Sequence, residues 1–181
     1  MTSILALSGS LRRASTNRGL VRAAIEVAPA GIAVTTFELR PLPFYDGDLE
    51  EAGAPQSVVE LKAAIAAADG VLLCTPEHNA SVPALLKNAI DWASRPQGVI
   101  QGKPVALAGS TPGGFGTLRA QIAWRQSLAN LGVPLLPSPS LLVSGAGDKF
   151  DANGNLTDAK TRADLAALLA AFAAWIDRVG A

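Results

Sequence analysis

Short apolar runs at 3–8, 32–37, 70–75, 103–109 and 133–136 alternate with longer stretches in which apolar residues recur at helical spacing. Each run has the length of a strand, and the alternation predicts an α/β fold built on a parallel sheet. Segment 16–29 opens on the capping residues Ser15, Thr16 and Asn17 and stops at Pro29 and Gly31. Segment 56–68 sets Val58, Val59, Leu61, Ile65 and Ala66 at near-helical spacing. Pro83 suits the first turn of a third helix running to about Ser94, where its missing N–H costs nothing, and Arg95-Pro96 ends it. A fourth helix is expected over 116–131, and a fifth over 157–179 carries Leu165, Leu168, Leu169, Phe172, Trp175, Ile176 and Val179 on one broad face. Pro41, Pro43, Gly47, Gly53 and Pro55 mark an irregular stretch of the kind that borders binding sites.

Five strands alternating with five helices fit the doubly wound order 2-1-3-4-5, in which the ligand crevice opens above the carboxyl ends of strands one and three. The residues just beyond those strands therefore carry the most information. After strand one, Ser8-Gly9-Ser10-Leu11-Arg12-Arg13-Ala14-Ser15-Thr16-Asn17 leads hydroxyls, an amide and two guanidinium groups into a helix start. Backbone N–H groups and the positive end of the helix dipole favour an anion there, and Arg12 can form a charge-assisted fork. The same residues also suit an ordinary capped turn with solvated arginines. The loop lacks the later glycines of a dinucleotide fingerprint and the Lys-Ser/Thr ending of a Walker loop, so a terminal monophosphate is favoured over a dinucleotide or an NTP.

After strand three comes Thr75-Pro76-Glu77-His78-Asn79-Ala80-Ser81-Val82-Pro83, stiffened by two prolines. A rigid turn can present backbone N–H groups to a flat redox ring, though a plain strand-to-helix turn capped by Ser81 reads equally well. After strand four, Gly109-Ser110-Thr111-Pro112-Gly113-Gly114-Phe115-Gly116 permits close approach of backbone to a ligand.

Composition narrows the classes of function. Lys plus Arg (15) balance Asp plus Glu (15), so no global positive field favours nucleic acid or anionic membranes. Hydrophobic residues reach 49%, yet no run approaches the ~20 needed to span a bilayer. The chain passes almost directly from Met1 into Ile4-Leu5-Ala6-Leu7, without a signal-peptide pattern, and a cytoplasmic setting is expected. Cys74 and His78 are the only residues of their types, which excludes an internal disulfide and argues against a Zn or Fe–S site. With 181 residues, one domain spanning 1–181 is the natural size.

Several other motifs take plain readings. Asp151-Ala152-Asn153-Gly154-Asn155 resembles a calcium loop, but aligning Gly154 places Lys149 and Lys160 at the end ligands, which leaves a turn. Lys87 and Asp91 form a solvated helix pair, and Trp92, Trp124 and Trp175 are core or interface residues. No G-x-S-x-G elbow supports hydrolysis.

Taken together, Gly9-Ser10-Leu11-Arg12 with Ser15 and Asn17, Pro76-Glu77-His78-Asn79 through Ser81 and Pro83 to Leu86-Lys87-Asn88-Ala89-Ile90-Asp91-Trp92, and Gly113-Gly114 with Arg119 and Gln121 resemble the NADPH-dependent FMN reductases. That family includes quinone, azo-dye and chromate reductases, and the similarity extends over nearly the whole chain to the turn from Phe150-Asp151 to Gly154. The resemblance implies a flavodoxin-like three-layer sandwich. It implies that Ser10, Arg12, Ser15, Thr16 and Asn17 hold the FMN phosphate, that Pro76, Glu77, His78 and Asn79 line the isoalloxazine, and that Ser110 and Gly113 approach it from the neighbouring loop. NADPH or NADH would donate and a small-molecule acceptor would follow into the same site, in ping-pong order. Related proteins associate as homodimers or homotetramers through the region after Pro83, and Arg95 would then reach a neighbouring site. The family usually has Tyr where this chain has His78, which exchanges a phenol for an imidazole able to titrate near neutrality. From that position, His78 is the candidate to give the acceptor a proton or polar contact. Rival readings are a flavodoxin-like carrier passing single electrons to a protein partner, and a redox sensor that only binds FMN.

Overall fold

The computed structural model describes residues 1–96 and 98–180. Strands β1 (Thr2–Ser8), β2 (Ile32–Thr36), β3 (Gly70–Cys74), β4 (Val105–Ser110) and β5 (Leu141–Val143) form one sheet in the order β2-β1-β3-β4-β5. All four pairings are parallel. Alternation along the strands divides the core between the two faces. Ile4, Ala6, Leu72, Cys74, Ala106 and Ala108 pack beneath α1 (Thr16–Val27) and α6 (Ala159–Val179), with Leu20, Leu169 and Phe172 above them. Leu5, Leu7, Val71, Leu73, Val105 and Leu107 face the other way, against α3 (Gln56–Ala67), α4 (Ala84–Ala93) and α5 (Leu118–Asn130). The result is the flavodoxin-like sandwich of two helical layers around a sheet.

Two elements differ from the sequence reading. The edge strand lies at Leu141–Val143 rather than 133–136. Leu135 makes only a single parallel bridge to Val105, after which Pro137 and Pro139, having no N–H to donate, interrupt the ladder. Pairing resumes where Leu141 meets Ala108. The stretch around Gly47 is also not wholly irregular: a short helix, α2 (Gly47–Glu51), begins there with the Asp46 carboxylate accepting from the Asp48 N–H at 2.9 Å.

The tryptophans are structural. Trp92 and Trp124 are fully buried; the indole N–H of Trp92 donates to Pro43 O (2.9 Å), that of Trp124 to Thr75 Oγ1 (3.1 Å), and that of Trp175 to Pro134 O (3.0 Å). Asn88 on α4 adds bonds to Pro43 O and from the Tyr45 N–H, so the segment after β2 is pinned to that helix. Lys87 and Asp91 pair on the half-exposed side of α4 at 2.5 Å. Among the described residues no helix is long and apolar enough to cross a membrane.

Candidate functional site

The first loop of the site continues directly from β1. Gly9 donates its N–H to Cys74 O (3.0 Å), one step beyond the last strand pair. A Cβ at position 9 would lie 2.6–2.8 Å from side-chain atoms of Pro76, Pro83 and Leu86, so only glycine lets the first loop pack this closely against the second. The chain then turns into α1, capped by Ser15, whose side chain accepts from the Arg18 N–H at 3.3 Å. Thr16 and Asn17 open the helix with N–H groups that have no intrahelical acceptor, and the first turn contains no acidic side chain to offset the dipole. Arg12 and Arg13 are exposed and form no ion pair among the described residues, whereas Arg18 pairs with Glu38 at 3.1 Å.

Asn17 has a second duty. Its side-chain N–H donates to Ser110 O (2.9 Å) and its Oδ1 accepts from the Ser110 N–H (3.0 Å), while Ser110 Oγ donates to Thr16 Oγ1 (2.7 Å). The amide expected to hold a phosphate is therefore occupied in joining α1 to the end of β4; its backbone N–H remains at the helix opening.

The second loop is built around a tight turn. His78 and Ser81 exchange backbone hydrogen bonds of 3.1 and 2.9 Å, and Asn79 and Ala80 between them sit at φ 50° and 61°. Positive φ at both central positions is the geometry of a type I′ turn, which asparagine tolerates well and alanine does not. Glu77 points away from this turn. Its carboxylate accepts from the backbone N–H groups of Arg119 (3.0 Å) and Ala120 (3.4 Å) and from Arg119 Nε (2.6 Å), with an ion pair to the same guanidinium. Burial raises the Glu77 pKa, but the hydrogen bonds from Arg119 and the Ala120 N–H and the guanidinium charge outweigh it and hold the carboxyl below its ordinary range. At the end of β3, burial pushes the Cys74 thiol up to about 12, which leaves it protonated and unreactive at neutral pH.

These loops enclose a cavity of about 500 Å³ at the carboxyl edge of β1, β3 and β4. Ser10, Arg12, Ser15, Thr16, Asn17, Pro76, Glu77, His78 and Ser110 line it as a group. Asn79 and Gly113 do not: Asn79 is at the exposed tip of the turn, and Thr111 and Pro112 take the wall position in place of Gly113.

The remaining wall comes from 146–147 and 150–152, which sequence reasoning left out of the site. Placing β5 at 133–136 moved its following loop away from the crevice. The loop is held against α1 by Arg22, which donates to Gly154 O and Asn155 Oδ1 at 2.9 Å each. Contact is close enough that a Cβ on Gly19 would meet Gly154 O at 1.9 Å. Asp151 closes the turn by accepting from the N–H groups of Asn153 (2.9 Å) and Asn155 (2.8 Å). The motif resembling a calcium loop thus spends its carboxylate on backbone. A glycine and an Asx turn following the edge strand were the signal that would have found this wall.

The donor set fits a phosphomonoester joined to a flat ring: a helix N-terminus with no acidic side chain in its first turn, the hydroxyls of Ser10, Ser15 and Thr16, and the Arg12 guanidinium line the cavity together with residues of the stiff 76–81 turn. The comparisons agree with this geometry. The family model described as NADPH-dependent FMN reductase matches residues 2–148. The chain is 41% identical over 177 residues to a Pseudomonas aeruginosa protein named NAD(P)H-dependent FMN reductase, covering 97% of this chain and 96% of that one. It is 42% identical over 176 residues to a Pseudomonas putida quinone reductase, covering 96% and 94%. Among solved structures it is similar to FerB, a flavoenzyme NAD(P)H:(acceptor) oxidoreductase from Paracoccus denitrificans, with a TM-score of 0.88, 36% identity and 98% of each chain covered. The chain belongs to the NADPH-dependent FMN reductase family.

Proposed function

We propose that this chain, as one flavodoxin-like domain over 1–181, binds FMN in the 500 Å³ cavity and reduces a quinone or similar oxidised small molecule at the expense of NADPH or NADH in the cytoplasm. One observation carries the reading: Arg12, which forms no ion pair among the described residues, the Ser15 and Thr16 hydroxyls and the N-terminus of α1 line the same cavity as the Pro76–His78 wall. The relatives named above, an FMN reductase and a quinone reductase, support the same reading.

When bound, FMN supplies the hydride chemistry that protein side chains lack. In this reading Arg12, Ser10, Ser15 and the N–H groups of Thr16 and Asn17 hold the phosphate and fix the depth of the cofactor. The backbone of Pro76, Glu77 and His78 would orient the ring, with Ser110 lining the cavity from the end of β4 and Asn79 and Gly113 supporting the loops from outside. Donor and acceptor would use the cavity in turn, with the exposed His78 side chain offering a proton or a polar contact to the acceptor. A homodimer or homotetramer is part of the proposal, supported by Phe115, Leu118 and Ile122 standing 62%, 41% and 57% exposed at the start of α5. On α4, by contrast, Leu86, Ala89, Ile90, Trp92 and Ala93 are buried in the chain's own core.

Steady-state oxidation of NAD(P)H with a water-soluble quinone tests the reading. Parallel double-reciprocal lines at several quinone concentrations are expected. A protein that binds FMN but shows no NAD(P)H turnover would instead be a carrier or a sensor.

A further inference from the structure

Helix α5 lacks a cap of its own. Thr117, at its N-terminus, sits in the left-handed region (φ 69°, ψ 19°) and caps nothing with its side chain. The hydroxyl is instead turned inward, where a Cβ on Gly109 would meet it at 2.1 Å and where it accepts from Gln121 Nε2 at 3.2 Å. The open N–H groups of Arg119 and Ala120 are taken by Glu77, from the loop after β3. Glu77 is thus a helix cap supplied 42 residues away, fastened by the guanidinium of the residue it caps.

The two halves of this clasp have different surroundings. The Glu77 side chain is 7% exposed and lines the cavity, whereas that of Arg119 is 53% exposed and lies over the Phe115 ring, 5.0 Å from its centroid. A lone carboxylate in this wall would oppose any negative charge gained inside the cavity, and a lone guanidinium would favour it. As a pair, they cancel.

We propose that Glu77 and Arg119 are positioning residues acting as one charge-balanced clasp, which holds the 76–81 loop at the cavity and keeps the reduction potential of a bound isoalloxazine from being pulled either way. The inference rests on the FMN reading above. Because reduction adds negative charge to the ring, removing one half of the clasp shifts the balance in one direction and removing the other half shifts it in the opposite direction. A merely structural contact would move both variants the same way.

The test is dye-equilibration potentiometry on the flavin-loaded protein, with FMN affinity measured separately by quenching of flavin fluorescence. Glu77→Gln is expected to raise the midpoint potential, tightening reduced relative to oxidised FMN about tenfold. Arg119→Gln is expected to lower it, the double variant to return close to the parent, and Arg119→Lys to stay near it. If Glu77→Gln does not fold, a lowered potential in Arg119→Gln beside a parent-like one in Arg119→Lys still carries the proposal, and equal potentials in these two overturn it. Equal potentials, or shifts of the same sign in both single variants, would overturn it while leaving the FMN reading intact. A parent protein that binds no FMN would overturn both.

Discussion

Asn17 and Ser110 exchange two hydrogen bonds in a site where each is only 3% exposed, so that a helix side chain closes the backbone of the last residue of β4. The pair fixes the N-terminus of α1 against the end of β4, where both residues line the cavity. Asn17→Ala leaves a buried N–H and a buried carbonyl without partners. Leaving such groups unmade costs about 1–3 kcal/mol each, so a loss of about 2–6 kcal/mol in urea unfolding is expected. Asn17→Asp retains the acceptor for the Ser110 N–H but faces its carbonyl with a second acceptor, and is expected to recover only part of that loss.

Arg12 is exposed and forms no ion pair among the described residues, so its removal disturbs no contact of that kind in the fold. Arg12→Ala is expected to leave the thermal midpoint nearly unchanged while weakening FMN about 10–100-fold, the scale of a charge-assisted hydrogen bond. Riboflavin, which lacks the phosphate, should bind parent and variant alike. Isothermal titration with both ligands checks the difference; equal losses for the two would place the guanidinium elsewhere than on the phosphate.

The Glu77 clasp has a defined pH window. Its carboxyl is depressed in the folded state, so the clasp contributes its stability above the ordinary glutamate pKa of about 4.3 and loses it as pH falls through the lower folded value. Urea midpoints of the parent and Glu77→Gln, compared between about pH 6 and pH 3, should differ most at the upper end and converge at the lower. A difference that persists unchanged at the acid end would mean that the carboxylate charge is not what holds the loop.

His78, exposed in the cavity wall, gives a separate handle. The profile of quinone turnover against quinone concentration is expected to differ between the parent and His78→Leu, which removes the polar side chain and keeps the backbone bonds with Ser81. Identical profiles would take the imidazole out of the acceptor step and leave position 78 with its backbone role alone.

Most of the fold was legible because its strands are short apolar runs punctuated by glycine and proline, and because the two faces of each strand are buried by different helices. What escaped was the edge strand. Three residues long and preceded by Pro137 and Pro139, Leu141–Val143 carries less hydrophobic signal than the 133–136 run that only bridges to Val105. That displacement also hid the 146–152 wall. Within the site, residue types pointed to the phosphate end, since hydroxyls before a helix have a local meaning. The partnerships of Asn17 with Ser110 and of Glu77 with Arg119 have none, because they join residues 93 and 42 positions apart.

The most direct test of the account is a titration of the purified, flavin-stripped protein with FMN, followed in the visible range without oxygen and then by addition of NAD(P)H. One FMN bound per chain, a perturbed flavin spectrum and bleaching within the turnover time are expected if the cavity holds the cofactor. An unperturbed spectrum, or a bound flavin that stays yellow with both nicotinamides, would contradict it.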